Sequence, residues 1–438
     1  MEFWIDGVVL ITLTSVVIME LKAMKLTKLF CALALALINP ACKTSQSNVD
    51  AQLVIQPLPS PAQSESSGPN LFAAAEGEVY LSWLETLGEQ QEVLKYSVLQ
   101  GQGWSSAKTI ATGKDWFANW ADFPSFSVLH NGGLAAHWLV TTAPQKYAYA
   151  VNVAFSTDRG ATWSKPIVPH TDGTPTEHGF VSLLPWEKDR VLAVWLDGRD
   201  HWYQRQNEEE EASEHGLTGL RAAIIDMNGN LYHEALLDER VCDCCQTAAG
   251  LTPNGAMVVY RDRSEKEKRD IAVVRFENGQ WSRPETLFND GWEIYGCPVN
   301  GPALATRGDA VAVAWYTAAH DTSKVKIVFS RDRGKAFGAP LRVDDGDPMG
   351  RVSIALLAKG EAVVCWMETV ESGAEVRIRR VHADGRVGES FTVTPTAATR
   401  ASGFPRMALT GEELIFAWTK LSDERSVHTA KINVRALQ

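Results

Sequence analysis

Residues 311–343 read VAVAWYTAAHDTSKVKIVFSRDRGKAFGAPLRV, and this stretch holds the unit from which the chain is built. VAVAW is a short apolar run closing on Trp315, KVKIVFS alternates as a strand does, SRDRGKAF turns the chain, and FGAPLRV leads back along it. A further strand, NGPALA (Asn300 to Ala305), precedes the run. Each unit therefore has four short strands.

The aromatic-closed run recurs as VYLSW at Trp83, LAAHW at Trp138, LAVWL around Trp195, MVVYR around Tyr260, AVVCW at Trp366 and LIFAW at Trp418. Including Trp315, the seven copies are spaced 55, 57, 65, 55, 51 and 52 residues apart. A steady period near 50 residues with four strands per repeat is the size of a propeller blade. The sequence therefore predicts an all-β, seven-bladed β-propeller. Flanking strands fit the same plan, among them FPSFSVL, GFVSLL and RVSIALL before the run and the Trp-Ser segments WSSAKTI, WSKPIVP and WSRPETL after it. The last unit stops near Leu437 without a fourth strand, whereas an orphan strand, AQLVIQPL (51–58), precedes the first; pairing the two would close the ring and remove an exposed sheet edge.

The N-terminal region reads separately. From Met24 to Cys42, MKLTKLFCALALALINPAC has basic Lys25 and Lys28, an apolar stretch and Ala41 before Cys42, the shape of an export signal too short for a comfortable span. It resembles a bacterial lipoprotein signal, which implies lipidation of Cys42 and a membrane-anchored, exported protein of the cell envelope, in the outer membrane or periplasm. Residues 43–68 then read as a tether to a propeller spanning 69–438, and residues 1–23 as an over-long start of the gene. The net charge of −11, without a basic cluster, argues against nucleic acid as a partner.

Two turns, STDRGATW (Ser156, Asp158, Gly160, Trp163) and SRDRGKAF (Ser330, Asp332, Gly334, Phe337), share one pattern. The aspartate can fold back on backbone N–H groups, glycine permits the turn, and the aromatic packs beneath. These turns resemble the Asp-box of the sialidase-like propellers. The resemblance implies a glycan or other small ligand in the central channel, and an exo-sialidase type of glycosidase where an arginine triad, a Tyr/Glu pair and an Asp acid/base are present. The first unit opens with SGPNLF, without the arginine of that pattern, so no catalytic residue carries over by position.

The residues that introduce each first strand, with the loops between second and third strands, face one mouth of such a channel. VCDCCQT and YGCPVNG place Cys242, Cys244, Cys245 and Cys297 there, with Cys242 and Cys297 at equivalent positions 55 residues apart on neighbouring units. These cysteines support disulfide staples, a thiolate site for Cu or Zn, or a redox pair. His178 is a possible neighbour. Asp122 and Glu177 are candidate acid/base groups, Tyr295 a candidate nucleophile, and Arg261, Arg263 and Arg351 candidate anion holders, with Asn300 beside them. Mutual pairing of these residues across the funnel is the competing reading. Trp116, Trp120 and Trp292 could stack on sugars or simply pack; NEEEEASEH (207–215) reads as a solvated lid, and Cys365 as a buried small residue. Two functions follow: an envelope binding protein for glycan or metal, and a diverged glycoside hydrolase.

Overall fold

The computed structural model describes residues 54–88, 91–207 and 217–437. The export signal, Cys42 and most of the acidic lid lie outside these residues. The described chain forms seven antiparallel sheets, the blades of a propeller. Their first strands are Ser66–Ala73, Ser125–Val128, His178–Trp186, Ala248–Thr252, Ala303–Arg307, Pro348–Leu356 and Arg406–Thr410. Segments from all seven line one central channel of about 710 Å³. The first blade begins at Ser66, which is fully buried, so residues 66–68 belong to the ring and not to a tether. Gln56–Leu58 pairs with Ser426–Asn433 as the outer strand of the seventh sheet, with Pro57 opposite Ala430.

The aromatic-closed runs are the second strands, and nearly every residue in them is buried: Val79–Leu87 buries its first seven positions. Successive side chains leave a strand on opposite faces, and here both faces meet a neighbouring blade. In Gly255–Arg261, Val258 and Tyr260 enter the core shared with blade 3, whereas Met257 and Val259 enter the core shared with blade 5. The apolar core is accordingly divided into interfaces, one for each neighbouring pair, and that between blades 7 and 1 unites Ile415 and Ala417 with Leu81 and Trp83. Continuous apolar runs are what strands buried on two sides require.

Each closing indole also needs a partner for its N–H. Trp83, Trp195 and Trp366 donate to the buried carboxylates of Glu85, Asp197 and Glu368, two residues on, at 2.8, 2.8 and 2.5 Å. Trp315 reaches Asp290 at 2.6 Å, and the Tyr260 hydroxyl donates to Asp238 at 2.6 Å.

The two S-x-D-x-G turns fold alike. Ser156 Oγ donates to Asp158 Oδ1 at 2.8 Å and accepts from Gly160 N–H at 2.8 Å, while Asp158 accepts from Thr162 N–H at 2.9 Å. In the later turn Ser330 bonds Asp332 at 2.6 Å, and Gly334 N–H donates to Ser330 at 2.9 Å. Both turns lean on the preceding blade: the Tyr96 hydroxyl donates to Arg159 O at 2.9 Å, and Arg275 donates to Gly334 O. Gly160 sits at φ +77°, and a Cβ there would lie 2.0 Å from Tyr96 Oη. Gly160→Ala is therefore expected to cost about 2 kcal/mol of unfolding free energy, from backbone strain and the displaced tyrosine. Urea denaturation would read this directly, and an unchanged midpoint would show that the turn is not held against blade 1.

Two local expectations need correcting. The WSKPIVP segment does not form a fourth strand: blade 2 has three strands, and Ile167 makes only an isolated bridge to Val153. Pro166 and Pro169 carry no N–H to donate, which leaves one residue pair to bond. The connection between the second and third strands of blade 3, expected as a loop, contains a helix at Arg199–Asn207.

Candidate functional site

Three contacts join non-neighbouring blades at the mouth where the first strands begin. From blade 4, Gln246 donates to Ala121 O of blade 2 at 2.7 Å and accepts from Gly301 N–H of blade 5 at 3.1 Å. Trp120 of the blade 2 loop stacks on Phe404 of blade 7, centroids 5.9 Å apart, and carries the Arg351 guanidinium of blade 6 over its face at 4.8 Å. Arg351 Nη1 in turn donates to Gly403 O at 2.8 Å.

The segment bearing Gln246 is the one that bears the thiols. Cys242 and Cys245 are buried, Cys244 is half-buried and Cys297 is exposed; all are free thiols, as is buried Cys365. The expected disulfide staples are absent among the described residues. The sulfurs do converge. Cys242 Sγ lies 3.1 Å from Cys245 Sγ and 3.8 Å from Cys244 Sγ, and the three fall within 4.8 Å of one another. A second triad within the same limit joins Cys244 to Asp243 and to Cys297 of blade 5. Cys297 Sγ is 3.7 Å from Asp243 Oδ1.

Arg269 faces this group. Its side chain is 1% exposed, its Nη1 lies 3.7 Å from Asp243 Oδ1, and its Nη2 is held by Glu267 at 2.7 Å. Its Nε and Nη1 make no hydrogen bond. Burial resists ionisation of Cys242, but the adjoining Cys244 and Cys245 thiols and the Arg269 charge outweigh it and hold Cys242 well below the usual thiol range. The Cys245 thiol is raised by burial and by that neighbouring thiolate, and the Cys244 thiol by its contacts with Cys242, Cys245 and Cys297.

The carboxylates here are pushed the other way. Burial, then Asp243, raises Glu177 to about 8, and burial raises Asp122 to about 7 against bonds from Phe180 N–H (2.8 Å) and the Tyr149 hydroxyl (3.3 Å). Glu177 accepts from Thr218 Oγ1 at 3.3 Å.

Apart from the exposed Tyr295, the remaining candidates serve packing. Arg261 donates only to backbone carbonyls, Arg263 is held by Glu267 at 2.8 Å, and Asn300 bridges Pro298 O, Met349 O and Arg351 N–H. Tyr295 is 76% exposed. Trp292 lies under the Arg261 guanidinium at 4.9 Å, and Trp116 stacks on Trp138 at 5.5 Å.

His178 does not join the thiols. Its ring stacks on His170 with centroids 3.7 Å apart, and its Nε2 lies 3.1 Å from Asp172. Arg199 Nη2 lies 2.9 Å from the same carboxylate and 2.6 Å from Asp197. Desolvation of Asp172 is outweighed by bonds from His170, His178 and Thr174, which hold it far below the usual carboxylate range. A guanidinium already supplies the positive charge in this cluster, so it is a structural ion network. His170 and Asp172 were missed from sequence, and the loop holding Asp197 and Arg199 was not joined to them, because only the fold brings PHTD and LDGR together.

No family model and no curated protein matches this chain. Solved structures do match it. The NanB sialidase from Streptococcus pneumoniae aligns at 10% identity and TM-score 0.44, over 88% of this chain and 95% of that one. An α-L-arabinofuranosidase from Fusarium graminearum aligns at 14% identity and TM-score 0.46, over 88% and 98%. A polysaccharide lyase aligns at 6% identity and TM-score 0.50, over 84% and 90%. The chain is a seven-bladed β-propeller, and its structural neighbours include propeller glycoside hydrolases and polysaccharide lyases.

Proposed function

We propose that this propeller binds a soft metal ion, Cu(I) or Zn(II), through the thiolates of Cys242, Cys244 and Cys245 at the mouth of its channel. The observation that carries this reading is the meeting of three sulfurs within 4.8 Å, beside the buried Arg269. Two sulfurs each 2.3 Å from one tetrahedral ion stand about 3.8 Å apart, which is the Cys242 to Cys244 separation. Cys245 would withdraw by roughly 0.7 Å to match. Thiolate ligands select such ions over hard cations.

The hydrolase reading lacks comparable support. Its candidate arginines are engaged by carbonyls or by Glu267, and the glycan-active neighbours speak for the fold. A lipid-anchored, exported protein would carry the site into the envelope, where mass spectrometry of the mature N-terminus tests acylation of Cys42. The metal reading is tested on the reduced, full-length chain under anaerobic conditions, titrated separately with chelator-buffered Cu(I) and Zn(II). Tight binding of at least one of them is expected. Changing Cys242→Ser and Cys245→Ser together should weaken it by at least about 100-fold. Binding equal in the double variant, or no binding of either ion, would sink the proposal.

A further inference from the structure

Resting on that reading, we infer that the mouth holds two Cu(I) ions bridged by the Cys244 thiolate, the outer one ligated also by Cys297 and Asp243. Cys244 belongs to both ligand triads, and the atoms of the outer one, from Asp243, Cys244 and Cys297, again lie within 4.8 Å of one another. A thiolate sulfur has lone pairs enough to bind two soft ions at once, so no ligand need be duplicated. The outer triad also spans blades, because Cys297 comes from the loop that leads into blade 5 and Asp243 from the segment that leads into blade 4.

Exposure orders the two positions. Cys242 and Cys245 are 1% and 2% exposed, Cys244 is half-buried and Cys297 is exposed, so an ion arriving from solvent meets Cys297 first. From there it passes inward by ligand exchange. The bonds to the Cys297 sulfur and the Asp243 carboxylate break as bonds to Cys242 and Cys245 form, the bond to Cys244 persists, and thiol protons leave to solvent. Copper stays in the Cu(I) state throughout. Charge balance favours the arrangement as well. Each added thiolate leaves excess negative charge, and Arg269 lies along both triads, next to Cys242 and 3.7 Å from Asp243.

The test is the copper content and X-ray absorption spectrum of the reduced, full-length chain loaded with Cu(I). The expected result is two ions per site with a copper–copper scattering path. Cys297→Ser, at an exposed position where folding is not at stake, should reduce this to one ion and abolish the path. Asp243→Asn should weaken the outer ion alone. A wild-type chain that binds a single ion, or a Cys297→Ser variant that keeps the copper–copper path, overturns the bridged pair and leaves the single-ion reading standing. A chain that binds no Cu(I) overturns both.

Discussion

Replacing Arg261 by methionine is expected to lower the stability of the propeller by about 3–5 kcal/mol. Arg261 is 2% exposed, and no carboxylate pairs with it. Its Nε and Nη2 donate to Asn300 O at 2.9 and 2.8 Å, Nη2 also to Tyr316 O at 2.7 Å, and Nη1 to Arg269 O at 2.5 Å. One guanidinium thus satisfies three backbone acceptors and ties blade 4 to blade 5. Methionine fills the aliphatic volume but donates nothing, and each stranded buried carbonyl costs roughly 1–3 kcal/mol. Relief of the desolvated charge offsets part of that loss, which keeps the total below a simple sum. Lysine does not rescue the site, because one ammonium cannot reach three diverging acceptors as a planar fork does. Urea unfolding of both variants measures the effect, and a methionine variant within about 1 kcal/mol of wild type would mean that the carbonyls find other donors.

Asp122→Asn is expected to change how stability depends on pH. Burial lifts the Asp122 carboxyl from 3.8 to about 7, so the folded protein holds a proton that the unfolded chain releases. Between these values the native state binds more protons, and stability therefore falls as pH rises. The contribution is complete below about pH 4 and exhausted above about pH 7, a loss of roughly 4 kcal/mol across that window. Asparagine keeps the geometry: its carbonyl accepts from Phe180 N–H, and its amide donates to the Tyr149 hydroxyl. The variant should match wild type near pH 4 and exceed it at pH 8 by up to that amount. Glu177, raised to about 8, gives the same sign and prolongs the slope by about one pH unit. Parallel stability curves for Asp122→Asn and wild type would show that Asp122 ionises freely in the fold.

The blade plan was legible because it rests on a one-dimensional pattern. Strands such as Val79–Leu87 are covered on both faces and must be apolar throughout, and the aromatic at their end repeats with the blade. The carboxylate two residues after that aromatic, as in WLE, WLD and WME, was equally visible and went unread. Blade equivalence alone put Cys242 and Cys297 at one mouth, whereas the structure brings Cys297 to Asp243 and Cys244 and leaves Cys242 with Cys244 and Cys245. What spacing could not give was the direction of side chains in loops. Arg261, Asn300 and Arg351 lie in the expected stretches, yet they spend their hydrogen bonds on backbone groups of neighbouring segments, as buried polar groups must. Arg269 and Asp243, which complete the thiol group, gave no signal beyond charge.

Gln246 follows Cys245 directly in the chain and is fastened to blades 2 and 5, so the sulfurs sit at the root of a crossbeam. Ions that settle among them clamp this beam, and the toroid acquires a lock whose key is metal. Occupancy should then register as rising resistance to heat, in proportion to the logarithm of free ion concentration. Such a lock would let the melting temperature serve as a gauge of loading.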